Sequence, residues 1–220
     1  NMDIGKSIGY VFDDENWGRK VLIGGLVSLI PIVSLAAMGY AVRTLRNVAA
    51  RQERPLPEWD DFGGYFVKGL LVAVAGVIYS LPAILGNLVI SVIASVAQSG
   101  RSDDMAAVVA LCATSVSCLV GLYALLVALW TPAATMNYAA SGEFTAFFEV
   151  GRIWELISGN LGGYIIALLV SAAAAIAAAL VGVVLCVIGV AFTSFVASLV
   201  YAHLLGQLLA ESGRPLQSPA

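Results

Sequence analysis

The chain has 220 residues, of which 60% are hydrophobic, and only 11 Lys and Arg and 14 Asp and Glu set its net charge of −3. With a mean hydropathy of +0.92, this is not the balance of an ordinary soluble domain. No basic patch interleaved with aromatics is present, which excludes nucleic acid as a partner. Four runs carry no charge at all, 21–42, 69–100, 105–142 and 156–210. A run of about 18 or more such residues is long enough to cross a hydrocarbon core as a helix.

In chain order, residues 2–20 read as an interfacial helix. Ile4, Ile8, Val11 and Phe12 share one helical face, with Lys6, Ser7, Asp13 and Asp14 opposite and Trp17 following. No cleavable signal peptide is expected, because the first apolar run begins only at Val21. Run 21–42 is long enough to span, but Gly24-Gly25 and the central Pro31 break its helical pattern. It is either a fifth span or a re-entrant hairpin. If it is a hairpin, ten of the eleven Lys and Arg share one side and only Arg101 faces the other; if it spans, the best split is seven to four.

Residues 43–68 form the main polar loop, in which Pro55 to Asp61 resembles a helix start with acidic residues in its first turn. Trp59 and Tyr65 suit the membrane interface. Spans are expected at 69–98 and 105–140, containing Pro82 and Pro132. Residues 143–158 read as a second interfacial helix, with Phe144, Phe147, Phe148 and Gly151 on one face. Spans at 162–185 and 188–210 follow, antiparallel because the turn between them is tight. The expected fold is therefore all-α: a polytopic integral membrane helical bundle of four full spans, a Pro-broken N-terminal apolar segment and two interfacial amphipathic helices. A weak internal repeat pairs Ile8–Phe12 with Val150–Trp154, Tyr40-Ala41 with Tyr201-Ala202, and Arg54-Pro55-Leu56 with Arg214-Pro215-Leu216.

Three stretches, Lys20 to Val33 (KVLIGGLVSLIPIV), Gly39 to Arg43 (GYAVR) and Arg54 to Gly63 (RPLPEWDDFG), resemble the bacterial and archaeal multi-pass membrane proteins of domain-of-unknown-function family 4013. Cys186–Val190 and Ala202–Gln207 are similar to its pattern as well. The resemblance implies a prokaryotic inner membrane protein and brings no activity, ligand or catalytic residue.

Chemistry-bearing patterns are sparse. The charge-free runs hold one titratable side chain of the acid–base kind, His203, which argues against ion-coupled transport. Cys112, Cys118 and Cys186 lie in apolar runs without metal-ligand spacing. No nucleophile–base set, HExxH or phosphate-cradling loop is present, so neither an enzyme nor a cofactor is expected. Two features remain as candidate sites. Ser80, Asn87, Ser91 and Ser95 make a small polar stripe that suits a pore or close helix packing. Pro57, Glu58, Trp59, Asp60 and Asp61 form a candidate interfacial loop site, where the acids could meet Asp13-Asp14-Glu15. Similar small-residue stripes run through Ser171, Ala175 and Ala179, and through Ser194, Ser198, Ala202 and Gly206. The leading expectation is a non-enzymatic interaction or assembly protein, with membrane lipids and a homo-oligomer or membrane-protein partner. The alternative is a channel or facilitator for a small neutral or weakly polar solute. The location expected is the cell (inner) membrane, with most Lys/Arg-bearing loops cytoplasmic.

Overall fold

In a computed structural model the chain is described over residues 3–97 and 103–217, and the expected turn between the second and third apolar runs, with Arg101, lies outside them. The described residues form eight α-helices: α1 (Ile4–Gly9), α2 (Trp17–Ser28), α3 (Ser34–Ala49), α4 (Phe62–Ala97), α5 (Asp103–Ser141), α6 (Val150–Gly159), α7 (Leu161–Val184) and α8 (Cys186–Glu211). Four stretches are long and apolar enough to cross a membrane, Phe62–Ser95, Ala107–Ser141, Leu161–Val184 and Ile188–Glu211. The fold is all-α and polytopic, as the charge-free runs imply. Two compact units make it up: Asn1–Ala73 with Pro132–Ala220, and Val74–Thr131.

In the first unit the Pro-broken segment folds back on itself as a helical hairpin. Going from Asp3 through Tyr10 and Gly24 to Gly25, the chain meets α8 at Gln207, Leu199, Phe195 and Phe192 in turn, so α2 runs antiparallel to α8. After the break at 29–33 the direction reverses. Tyr40 lies beside Phe195, and Leu45 and Val48 lie against Gly206, so α3 runs parallel to α8. Both ends of the hairpin meet at the same end: Trp59 Nε1 donates to Lys20 O at 3.1 Å, and Arg54 bonds Glu15 at 2.7 Å. The break follows from Pro31, which cannot donate to the α2 ladder. Gly24 and Gly25 serve contact instead of breaking the helix: a Cβ at either would stand 2.1 Å from the ring of Phe195 or Phe192.

This geometry makes a labelling prediction. In a background with its three cysteines replaced, single cysteines at Asp13 and Gln52 will react with an impermeant maleimide from the same side of the membrane. Labelling from opposite sides would overturn the hairpin.

The internal repeat is reflected only in part: Ile8–Phe12 runs out of α1 into a turn, whereas Val150–Trp154 lies within α6. The sequences α1–α2–α3 and α6–α7–α8 share the order short helix, hairpin, polar end. The offset of 161 that aligns Tyr40 with Tyr201 also aligns Leu45 with Gly206, and these two positions touch.

Several boundaries differ from the sequence reading. The helix expected over 2–20 stops at Gly9 and restarts at Trp17; Val11 is buried in the turn while Phe12 is 55% exposed. The polar loop 43–68 shrinks to 50–61, because α3 and α4 extend into it from both sides. Residues 143–158 are not one helix. A 3-10 turn, Phe144–Phe148, is separated from α6 by Glu149, whose ψ of 78° breaks the helical periodicity. Phe147 is therefore buried and stacked on Tyr138, and α6 packs through Ile153, Leu156 and Ile157 while Trp154 points out.

Candidate functional site

The proline-rich segment after α3 runs through turns and bends without regular secondary structure. Its carbonyls need donors from elsewhere, because a buried unpaired carbonyl is costly. Side chains supply them one by one. Asn47 Nδ2 donates to Pro55 O (2.9 Å), Lys20 Nζ to Leu56 O (3.1 Å), Tyr40 Oη to Pro57 O (2.7 Å) and Tyr65 Oη to Glu58 O (2.7 Å). Four consecutive carbonyls are thus held by donors from α2, α3 and α4. Trp59 closes the arrangement: its ring stacks on Tyr40 with centroids 4.4 Å apart and meets Tyr65 edge-on at 5.8 Å.

Lys20 is the electrostatic centre of this clamp. It is 4% exposed, and its ammonium bonds Asp14 and Glu58 at 2.8 Å each. Burial, the largest single effect, pushes its pKa down; the hydrogen bonds and charges of Asp14 and Glu58 together more than reverse that, so the net shift is upward. Burial likewise pushes the Tyr40 phenol up, with the neighbouring Tyr10 and Tyr65 adding to it, so Tyr40 stays a donor.

The candidate loop site is therefore resolved residue by residue. Pro57 and Glu58 belong to the clamp, Trp59 packs inside it rather than lying free at an interface, and Asp61 Oδ1 accepts from Gly64 N at 2.9 Å at the start of α4. Asp60 is exposed. One acid from each group, Asp14 and Glu58, meets the other at the ammonium of Lys20. Among the described residues no group of three or more His, Cys, Asp and Glu side chains is placed to hold a metal ion.

Sequence reasoning missed the donors Lys20, Tyr40 and Asn47, which are scattered along the chain. It also missed how α1 docks. Gln207 accepts from Asp3 N at 2.7 Å and donates to Asp3 O at 3.1 Å, while Ser7 Oγ and Gln207 Nε2 lie 2.9 and 3.0 Å from His203 Nδ1. The Tyr10 ring lies tilted against the His203 ring, with centroids 4.2 Å apart. His203 is thus a helix-docking residue, and α1 turns Ile4, Ile8 and Phe12 outward.

The second unit contains the other candidate, the polar stripe. Here α4 meets α5 through the side of Tyr79 and Gly86: Tyr123 Oη donates to Tyr79 O at 2.8 Å, and a Cβ at Gly86 would stand 2.4 Å from Val120. Ser80, Asn87, Ser91 and Ser95 lie on an adjoining face and are all exposed. They bond their own helix, to Gly76 O, Ala83 O, Asn87 O and Val92 O. Among the described residues the stripe spends its side-chain bonds on α4 itself and stays exposed. The other small-residue stripes behave differently: Ser171, Ala175, Ser194 and Ser198 face a shared space of about 230 Å³ between α7 and α8.

Long apolar helices beside a clamped helical hairpin define a polytopic membrane protein of the all-α class. The chain belongs to the family described as protein of unknown function (DUF4013), whose model matches residues 22–187, so the matching stretch takes in most of the hairpin, the proline-rich segment and three of the four long helices, but not Asp14 or Lys20. No curated protein and no solved structure matches it.

Proposed function

We propose that this protein is a non-enzymatic membrane interaction or assembly protein that presents the outer face of α4 to a partner helix. Asn87 carries the reading. Its amide spends one donor on Ala83 O, and its remaining N–H and its carbonyl oxygen have no partner among the described residues. It sits eight residues inside the end of an apolar helix of span length, exposed on a face of leucine, isoleucine and valine. Hydrocarbon offers such a group nothing, whereas a second helix does, and interhelical bonds of this kind contribute about 0.6–2 kcal/mol each. A carboxamide is self-complementary, so the simplest partner is a second copy of the chain. The small neighbours Ser91 and Ser95 let backbones approach. Further support for a non-enzymatic role is that the buried ionisable residues Lys20 and Asp14 are committed to the clamp. The basic side of the hairpin is then cytoplasmic, in the cell membrane.

The test is self-association in mild detergent. Asn87→Leu will weaken it roughly tenfold, the equivalent of about 1.4 kcal/mol, and Asn87→Gln will retain most of it. A cysteine at Ser91 in the cysteine-free background will crosslink between copies. A wild-type chain that is monomeric and crosslinks to nothing would overturn the proposal.

A further inference from the structure

A polar cleft of about 520 Å³ opens on the first unit at the C-terminal end of α8, between α1, α8 and the segment after α3. Its volume is in the range of small-molecule sites. Its floor is buried and includes Tyr10, Val48, Leu56 and His203. His203 is the informative residue. It is 4% exposed, and Ser7 and Gln207 occupy its Nδ1. Gln207 Oε1 accepts from Asp3 N, which turns the amide nitrogen toward the ring. An amide nitrogen only donates, so Nδ1 accepts and the neutral ring carries its proton on Nε2. That N–H has no partner among the described residues. The one unpartnered side-chain polar atom sealed from solvent among them is Ser171 Oγ. Nε2 is therefore open to the cleft that its ring lines, as a donor awaiting an acceptor.

The charges on the walls divide by whether they are already engaged. Asp14 is held by Lys20 and Arg54 by Glu15. Asp3 caps Lys6 N, and Glu211 accepts from Asn160. Four side chains have no ion pair or hydrogen bond among the described residues: the cations Lys6 and Arg51 and the anions Asp13 and Glu53. We propose that this cleft is a binding site for a zwitterion that joins a phosphate ester to an amine. A phosphate oxygen accepts from His203 Nε2 and answers Lys6 and Arg51, and the ammonium answers Asp13 and Glu53. A lone anion would face the two acids, and a lone cation would face the two bases and the Nε2–H. A ligand with both signs satisfies the whole set. The cleft also lies at the end of a helix of span length, the level at which phosphate headgroups sit. The same chemistry reaches it from a phosphatidylethanolamine headgroup or from a free amino-phosphate.

His203 is the chain's single histidine, so ring-nitrogen-labelled histidine gives one resolved site by NMR on the full chain in mild detergent. Without ligand the spectrum will show the Nε2–H form. Titrated phosphoethanolamine will shift Nε2 saturably and leave Nδ1 nearly unmoved. Glycerol phosphate, which lacks the amine, and ethanolamine, which lacks the phosphate, will each bind several-fold more weakly. Lys6→Gln and Asp13→Asn, both exposed, will each weaken phosphoethanolamine by roughly two- to fivefold, the effect of one exposed ion pair. Both will keep the Nε2–H signal and hence the docked α1. In nanodiscs without added solute, the same shift in phosphatidylethanolamine and not in phosphatidylglycerol assigns the ligand to lipid; a shift with the soluble compound alone assigns it to a free solute. An Nδ1–H form, no saturable shift from either source, glycerol phosphate binding as tightly as phosphoethanolamine, or wild-type affinity in both variants would each overturn the proposal. None of these readouts involves Asn87, so failure here leaves the assembly reading untouched.

Discussion

Replacing Lys20 with Met will strip the clamp of its centre and cost about 3–5 kcal/mol, the range seen when one partner of a buried ion pair is removed. The cost arises at Asp14, which is 8% exposed and loses the cation 2.8 Å away. Glu58, 54% exposed on the same ammonium, recovers solvent and contributes little. Leu56 O loses its donor as well. In mild detergent the unfolding temperature should drop by roughly 10 °C, taking about 2–4 °C per kcal/mol for a chain of this length. The double variant Lys20→Met with Asp14→Leu should regain most of that loss, because an apolar pair of similar volume replaces the orphaned carboxylate. If the double variant is as unstable as the single, the ion pair is not the centre of the clamp. The pH dependence has a definite sign. Lys20 has a raised folded-state pKa, so its stabilisation is fully present below the ordinary lysine value of about 10.4. It is lost only as pH rises through the higher folded value. Lys20 therefore adds no pH dependence near neutrality, and wild-type stability should fall more steeply than that of Lys20→Met on the alkaline side.

The clamp also marks the boundary of what the chain discloses by itself. The long helices were legible because hydrocarbon tolerates no charge, so four charge-free runs mark where they lie. Their ends were less legible. Lys68 lies inside α4, six residues after its start, because a lysine near a helix end keeps its head in water while the backbone ladder continues. The hairpin was legible as one of two readings, through Pro31 and the distribution of basic residues. What chose between them was the register of Gly24 and Gly25 on Phe195 and Phe192, a contact across about 170 residues of sequence.

The candidate site was half legible. The segment RPLPEW stood out as unusual, but its chemistry resides in the residues that hold its carbonyls. Those come from positions 20, 40, 47 and 65, and no local spacing relates them. One signal was available: Pro55 and Pro57 interrupt any helix or ladder, so the carbonyls around them require side-chain donors. The polar stripe was found, but its direction was not. Periodicity puts Ser80, Asn87, Ser91 and Ser95 on a common side of α4; only the Tyr79–Tyr123 and Gly86–Val120 contacts show that this side is not the one facing α5.

The tightest packing in the molecule yields the second large expected effect. Where α3 crosses α4, each helix presents a glycine to the other's backbone. A Cβ at Gly39 would stand 1.7 Å from Tyr65 O, and a Cβ at Gly69 would stand 1.7 Å from Leu35 O. Neither obstacle is the movable end of a side chain, so the crossing can accept alanine only if the helices separate. Separation would pull Tyr40 away from Tyr65 and from Pro57 O, so the crossing and the clamp fail together. Overpacking a well-filled site costs about 1–3 kcal/mol, occasionally more, and coupling to the clamp places Gly39→Ala and Gly69→Ala at or above the upper end. Gly76→Ala is the control on the same helix. Nothing lies within 4 Å of its Cβ position, so the change should be neutral or stabilising by up to about 1 kcal/mol through helix propensity alone. Folded yield and unfolding temperature of the three variants in one detergent check this directly. If Gly39→Ala is as stable as Gly76→Ala, the backbones of α3 and α4 are not in contact, and the clamp that depends on their approach must be drawn differently.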